Sequence, residues 1–272
     1  MTIKLVTDEK IAETSSKGNQ EKWYSSDTDS WYKLDQFGYE ALAETLISIL
    51  LEKTNIEKDT PFTFVRYSME RMNVHGRERN GCASKNFLQP GHSIITINRL
   101  LTNHLGVPLK QKLIQLSSDK KRVAYLAEAT AGCTGLAEFP RYLTLLFEVD
   151  ALFCNDDRHL NNIAVIEKAG IYGYCPIFDN GAGLLSNTQL SQMDISPKAL
   201  IAALFARPFN TTFTRQMNTA RSLYGKQMTI PRFSSGEVRD ALKPLLAYYA
   251  ERDRGIITDR VTGCILLRQK AF

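Results

Sequence analysis

The segment from Leu143 to Gly181 constrains this chain more than any other. Leu143-Thr144-Leu145-Leu146-Phe147-Glu148-Val149-Asp150-Ala151-Leu152-Phe153 is an apolar run of helical length. It breaks at Cys154 into Asn155-Asp156-Asp157-Arg158-His159-Leu160-Asn161-Asn162. Ile163 to Ile166 then reads as a strand, Lys168-Ala169-Gly170 as a turn, and Tyr172 to Phe178 as the returning strand. Closing that hairpin brings Asn162 and Asp179 together at its two ends. The outcome is a carboxylate, an amide five residues on, and a second carboxylate across a turn. Phosphoryl transfer needs that set: Asp157 orients or deprotonates an attacking hydroxyl, while Asn162 and Asp179 hold a metal against nucleotide phosphates. Oxygen-only ligands suit Mg²⁺. Asp157 is preferred to Asp156 for its spacing to Asn162; Asp156 reads as a helix-end charge or a second acidic contributor. Asn/Asp-rich turns most often only cap helices. The hairpin and Asp179-Asn180-Gly181 argue for more than a cap.

Composition sets outer limits. The chain has 272 residues, 43% of them hydrophobic, enough for one large core or a two-lobed one. A net charge of +5, from 34 basic and 29 acidic residues, tolerates an anionic nucleotide. It is too diffuse to imply direct binding of nucleic acid. Five scattered cysteines lack metal spacing, and their odd number argues for a reducing compartment. The beginning of the sequence carries no long apolar run, so no ordinary signal peptide is expected, and no stretch of about 18 apolar residues predicts a membrane span. The expected location is the cytoplasm, or a host reached by a specialised secretion route.

Upstream, Ile3 to Val6 reads as a strand. Ser15-Ser16-Lys17-Gly18-Asn19-Gln20-Glu21-Lys22 is a polar loop with one glycine, able to present backbone N–H groups and lysine to phosphates. Trp31-Tyr32-Lys33-Leu34 is a strand whose lysine can reach α- and β-phosphates. Tyr39 to Lys53 reads as an amphipathic helix with Leu42, Leu46, Ile49 and Leu50 on one face. A strand lysine followed by a glutamate-bearing helix is the arrangement of the kinase Lys–Glu pair, and both Glu40 and Glu44 are candidates. Pro61 to Tyr67 reads as a strand and Glu70 to Asn80 as a charged hairpin. Gly81 to Leu88 carries no evident chemistry, and Pro90-Gly91 marks a boundary. Helices are expected over Ser93–Leu105, Asp119–Ala131, Ala137–Phe153, Lys198–Arg207, Thr212–Leu223 and Gly236–Glu251. Gln227 to Ile230 is strand-like, and the terminal segment is amphipathic. With no Ala-Pro-Glu and no long activation segment after Asp179, the sequence does not look like an ordinary eukaryotic-type protein kinase.

Asp157-x-His159-x-x-Asn162, a hairpin, then Phe178-Asp179 resembles the catalytic core of HipA-like serine/threonine kinases, and in size their small CtkA-type members. The loop is also similar to that of phosphoinositide kinases, where Asp-Arg-His-x-x-Asn is typical. Ser15-x-x-Gly18-x-Gln20-x-Lys22 resembles the phosphate-covering loop of the HipA-like family. That likeness implies nucleotide contacts from Gly18, Gln20 and Lys22, and a regulatory autophosphorylation site at Ser15. It favours Glu40 over Glu44 as the partner of Lys33, places Val65 and Tyr67 in the strand leading to the adenine-binding hinge, and gives His159 to the catalytic loop on the cofactor side. The implied fold is α+β, a two-lobed protein-kinase-like (HipA/CtkA-like) architecture. A small β-rich lobe spans 1–90 and a helical lobe 91–272. The implied function is an ATP- and Mg²⁺-dependent serine/threonine protein kinase. It would act as a bacterial toxin or secreted effector on an unknown protein substrate, with an antitoxin or a host protein as partner. A phosphoinositide or small-molecule kinase and a nucleotide-binding pseudokinase regulator are the alternatives.

Overall fold

The computed structural model describes residues 21–272. The expected first strand at Ile3 and the expectations for Ser15, Gly18 and Gln20 lie outside the described residues. Four strands, β1 (Lys22–Ser25), β2 (Ser30–Leu34), β3 (Ser68–Val74) and β4 (Arg77–Lys85), form an antiparallel sheet in the order β1-β2-β4-β3. Trp23, Tyr32, Leu34 and Met72 make a small core on one face. The glycine at 81 follows from packing: a Cβ there would lie 2.2 Å from the Lys33 carbonyl oxygen and 2.0 Å from the Met72 methyl. Helix α1 (Glu40–Leu51) follows β2. Every residue of it except Ile49 is buried, so the expected one-sided amphipathic helix is instead wedged between the sheet and the rest of the molecule. A short turn of helix, α2 (Ile56–Asp59), comes next.

A second antiparallel sheet follows, of β5 (Ser93–Thr96), β6 (Ala164–Lys168) and β7 (Ile171–Tyr174). The expected single helix over Ser93–Leu105 is therefore two elements. Ser93-Ile94-Ile95-Thr96, rich in β-branched residues, pairs Ile95 with Val165 on the open edge of β6. Thr96 then caps α3 (Ile97–Leu105), accepting from the Arg99 N–H at 3.2 Å, and Gly106 in left-handed conformation ends it.

Helices α4 (Leu109–Gln115), α5 (Asp119–Thr134), α6 (Phe139–Phe153), α7 (Pro197–Ala203), α8 (Phe213–Tyr224), α9 (Ser235–Leu246) and α10 (Glu251–Arg268) complete the body. Ser118, Ser196, Thr212 and Ser234 cap four of them through side-chain oxygens. Apart from Pro140 and Arg141, all of α6 is buried. Its Glu148 accepts from Arg221 at 2.6 Å and from the Met228 N–H at 2.7 Å. Gln227 to Ile230 therefore pairs with no strand: side chains of Glu148 and Asn55 take its N–H groups. The helix expected to reach Arg207 stops at Ala203 and gives way to a turn closed by a bridge between Ala206 and Thr211. The helix expected to reach Glu251 stops at Leu246. Tyr248 and Tyr249 beyond it turn to the first sheet, where Tyr248 Oη donates to the Met69 carbonyl and Tyr249 Oη to Asp35 at 2.6 Å.

The strand expected at Pro61 to Tyr67 is extended chain without a place in either sheet. It docks on the segment before Asp179: Val65 N–H donates to the Ile177 carbonyl at 2.9 Å, and Ile177 N–H to that of Thr63 at 2.8 Å. Tyr67 N–H is taken by Ser48 Oγ. With these N–H groups spent inside the fold, Val65 and Tyr67 have no backbone donor to offer a base. The link between the two sheets is Asn86 to His92, between the end of β4 and the start of β5. That corrects the expected hinge.

Candidate active site

Lys22 and Lys33 stand directly opposite each other on β1 and β2. Like charges in such a pair repel, so the arrangement requires acids nearby. Lys33 Nζ lies 2.6 Å from Glu44 Oε1 and 2.7 Å from Asp179 Oδ1, and Lys22 Nζ 3.9 Å from the same Asp179 oxygen. Burial works against the charge of Lys33, but Asp179 and Glu44 outweigh it and raise its pKa well above the usual lysine value. Burial likewise disfavours the Asp179 carboxylate, but Lys22 and Lys33 outweigh it and hold its pKa below the ordinary range. For Lys22, attraction to Asp179 raises the pKa, while burial and Lys33 together bring it down.

The lysine partner is thus Glu44, and Glu40 is corrected. Glu40 sits in the first turn of α1 and folds back to accept from the N–H groups of Phe37 at 2.7 Å, Gly38 at 3.1 Å and Gln36 at 3.3 Å. Those donors precede the helix and would otherwise be orphaned. Glu44, one turn deeper and fully buried, also accepts from the Asn180 N–H at 2.9 Å. One carboxylate therefore ties the strand lysine to the residue that follows Asp179.

The 155–162 loop begins where Cys154 takes a left-handed φ of 55° and ends α6. Asn155 donates to Asp150 and to the Asp179 carbonyl, and accepts from the Asp157 N–H. Arg158 is wholly buried. It donates to Asp150 at 3.1 Å, to the carbonyls of Asn162 at 3.1 Å and Phe178 at 2.7 Å, and to Asn180 Oδ1 at 2.7 Å. This arginine, whose sequence context left its role open, joins helix, loop and hairpin end. Asp150 answers it: burial pushes its pKa up to about 6, with Arg158 pulling the other way. A carboxylate in the middle of an apolar helical run was the available signal for a buried partner, and it pointed to no particular residue.

Asn162 donates through its amide to the Asp157 carbonyl at 2.8 Å. That bond fixes the side chain next to the loop carboxylate. Asp157 itself is 60% exposed on its side chain and looks into an open cleft, with His159 Nε2 3.8 Å from its Oδ1. Loss of hydration against the cleft wall raises its pKa; His159 opposes this and Asp179 adds to it. Burial, then the neighbouring Asp157, pushes Asp156 up to about 6.

Two cavities meet at Lys22. One is a slot of about 80 Å³ between the sheets, lined by Trp31, Lys33, Tyr67, Phe87, Leu88 and Phe178 among others. Tyr67 thus reaches the slot through its side chain, with Lys33 Nζ 5.2 Å from the ring centroid, whereas Val65 does not line it. The other is a cleft of about 400 Å³ that takes in Lys22, Asp156, Asp157, His159, Asp179 and Arg207. Its far wall includes Asp179 (φ 60°), Gly181, Ala182 and Leu185, with Gly183 and Leu184 packed behind them. Gly183 leaves no room for a Cβ, which would lie 2.8 Å from Ile47 Cδ1. The left-handed Leu184 and Leu185 are held by their carbonyls, which accept from Tyr39 Oη, and by buried Arg260 on Leu185.

The donor set fits Mg²⁺. Asn162 and Asp179 offer hard oxygens, and the lysines keep Asp179 ionised. No group of three or more His, Cys, Asp or Glu among the described residues could hold a metal by itself.

No protein-family model matches the chain, and no curated protein sequence does. Solved structures do. The chain has the fold of HipA-like kinases: mixed α/β, with small sheets on a helical body. The Helicobacter pylori proinflammatory kinase CtkA matches with a TM-score of 0.60 at 12% identity, over 94% of this chain and 92% of that one. HipA of Shewanella oneidensis MR-1, from a toxin–antitoxin complex with HipB and operator DNA, matches with a TM-score of 0.50 at 12% identity. That match covers 96% of this chain and 65% of HipA. No helix among the described residues is long and apolar enough to cross a membrane.

Proposed function

We propose that this chain is an ATP- and Mg²⁺-dependent serine/threonine protein kinase. The observation that carries the reading is Glu44–Lys33–Asp179, a continuous ion pair set beside Asp157 and Asn162 in a HipA-like fold. The division proposed is a nucleotide-covering lobe over 1–90, of which 21–90 are described, and a lobe with the catalytic loop over 91–272. The base lies in the slot between Trp31, Tyr67, Phe87 and Phe178, with the Asn86–His92 link beside it. Lys22 and Lys33 face the phosphates. Asn162 and Asp179 would hold Mg²⁺, whose charge would supply electrostatic stabilisation at the nucleotide phosphates. Asp157 takes the proton from the acceptor hydroxyl as the new oxygen–phosphorus bond forms and the bond to the bridging oxygen breaks, releasing ADP. Its raised pKa brings the base nearer to working pH.

His159 steadies the loop by its N–H bond to the Asp157 carbonyl at 2.8 Å. Ser15 is the proposed regulatory phosphosite, and Gly18 and Gln20, like it outside the described residues, are proposed as nucleotide contacts on the sequence likeness alone. By analogy with the fold, a toxin or effector role follows, with an antitoxin or a host protein as partner and the cytoplasm or a host cell as the place of action. The test is mass spectrometry of the purified chain after incubation with Mg²⁺–ATP, beside Asp157→Asn. A Ser or Thr phosphate formed only by the unsubstituted chain is expected. Nucleotide binding without any protein phosphate would move the acceptor to a lipid or small molecule, or make the chain a pseudokinase.

A further inference from the structure

A third cavity, an open groove of about 640 Å³, adjoins the catalytic cleft. His159 and Arg207 line both. The groove runs between the α3–α4 corner and the turn after α7, past Lys110, Ile114, Arg122 and Phe209. No carboxylate is among its lining residues. Arg122 is engaged by Asp119 at 3.1 Å and by the Leu113 carbonyl. Lys110 and Arg207 are exposed, and the described residues give neither a hydrogen bond or ion pair, although Arg207 is near enough to Asp156 and Asp157 to pull their pKa values down against burial.

Arg207 is nonetheless held firmly. Gln216, itself buried, donates to the Arg207 carbonyl at 2.6 Å, and the Ala206–Thr211 bridge closes the turn. The fold therefore fixes the backbone and leaves the guanidinium at the junction of two cavities, a geometry suited to bidentate capture of a carboxylate. His159 lines the common wall of the two cavities. Ile114, 67% exposed, adds an apolar rim.

From these observations we infer that the groove is the docking track for an acidic acceptor polypeptide. A Ser or Thr enters the cleft at Asp157, and flanking Asp or Glu side chains lie along Arg207 and Lys110. This rests on the kinase reading and names its substrate class. Asp156 and Asp157 repel acidic side chains from the cleft, so the acids are displaced into the groove. The occupant is a peptide because the groove is open, adjoins the cleft through His159 and Arg207, and carries cations on its walls.

Docking is measured apart from turnover, by fluorescence anisotropy with the Asp157→Asn chain. The probes are a labelled Ser peptide flanked by Glu and its Lys-flanked counterpart. The acidic peptide is expected to bind and to weaken with salt, and Arg207→Glu to lower its affinity by about tenfold. Arg207→Glu with Lys110→Glu should reverse the preference toward the Lys peptide, a gain that misfolding cannot produce. Equal binding of both peptides, no binding of either, or an unchanged preference after charge reversal overturns the proposal. Phosphate transfer failing while acidic-selective docking persists would instead overturn the kinase reading.

Discussion

Glu44→Gln and Glu40→Gln, made side by side, separate the two glutamates of α1. The substitution at 44 keeps the shape and removes a charge that holds Lys33 at 2.6 Å and the Asn180 N–H at 2.9 Å. Breaking a buried pair from one side costs about 3–5 kcal/mol. Asp179 stays on Lys33, and the amide keeps an acceptor oxygen, which puts the loss near the lower figure. At about 2–4 °C per kcal/mol for chains of this size class, Tm should fall by about 6–12 °C. Nucleotide affinity should fall as well, because the lysine and the Asp179 loop lose their common anchor. A hydrogen bond to a charged group is worth about 1.5–3 kcal/mol, so a loss of about tenfold or more is expected. Glu40→Gln removes only the charge that caps the helix start, costing about 1 kcal/mol and leaving nucleotide affinity within about twofold. Differential scanning calorimetry and isothermal titration with Mg²⁺–ATP read both quantities. If Glu40→Gln lost nucleotide affinity and Glu44→Gln kept it, the assignment of the lysine partner would be refuted.

Arg158→Met should strand Asp150 in the core at a cost of about 3–5 kcal/mol, a large share of the stability of an ordinary domain. Adding Asp150→Leu removes the stranded charge and should recover much of the loss in urea titration; a double variant as unstable as the single one would sink the argument. Asp35 accepts from Tyr249 Oη at 2.6 Å and from the Ala41 N–H at 2.7 Å, and burial, opposed by these bonds, raises its pKa from 3.8 to about 7. A raised carboxylate favours the folded state fully below about pH 4, and that contribution is lost as pH rises through about 7, by at most about 4 kcal/mol. Asp35→Asn should therefore flatten the fall in Tm between pH 4 and 7, and an unchanged slope would place the ionisation elsewhere.

The cluster at the heart of the site was legible in the chain because it is local. Asp157 and Asn162 share one loop, and a hairpin of short strands leaves little freedom in where Asp179 falls. The helices with Ser or Thr caps and left-handed glycines were legible for the same reason: caps act within one turn. Lys33 could be assigned to a strand, and the likeness to HipA-like kinases supplied the fold that the solved structures bear out.

Packing between distant segments decided the rest. Spacing in α1 allowed either glutamate to face Lys33. The choice fell to Glu44 because the helix start sits at Tyr39, where Glu40 is needed by the orphaned N–H groups of Gln36, Phe37 and Gly38. Pro61 to Tyr67 has strand composition, yet the Val65 N–H finds its partner on Ile177, far away in the chain, and the Tyr67 N–H on the Ser48 hydroxyl of α1. Ser93 to Thr96 became a strand because β6 offered an open edge. Arg158 and Arg207 look alike in a sequence. One is sealed by Asp150 and three further acceptors, and the other stands at the mouth of two cavities. Sequence by itself determined which chemical groups the site could contain and the local turns that present them. Tertiary structure decided which charges are buried against each other and which remain for a ligand. That depends on how the elements pack: Arg158 is sealed by acceptors 4 to 22 positions away, while Asp179 meets Lys33 across 146 positions, and no local pattern encodes either choice.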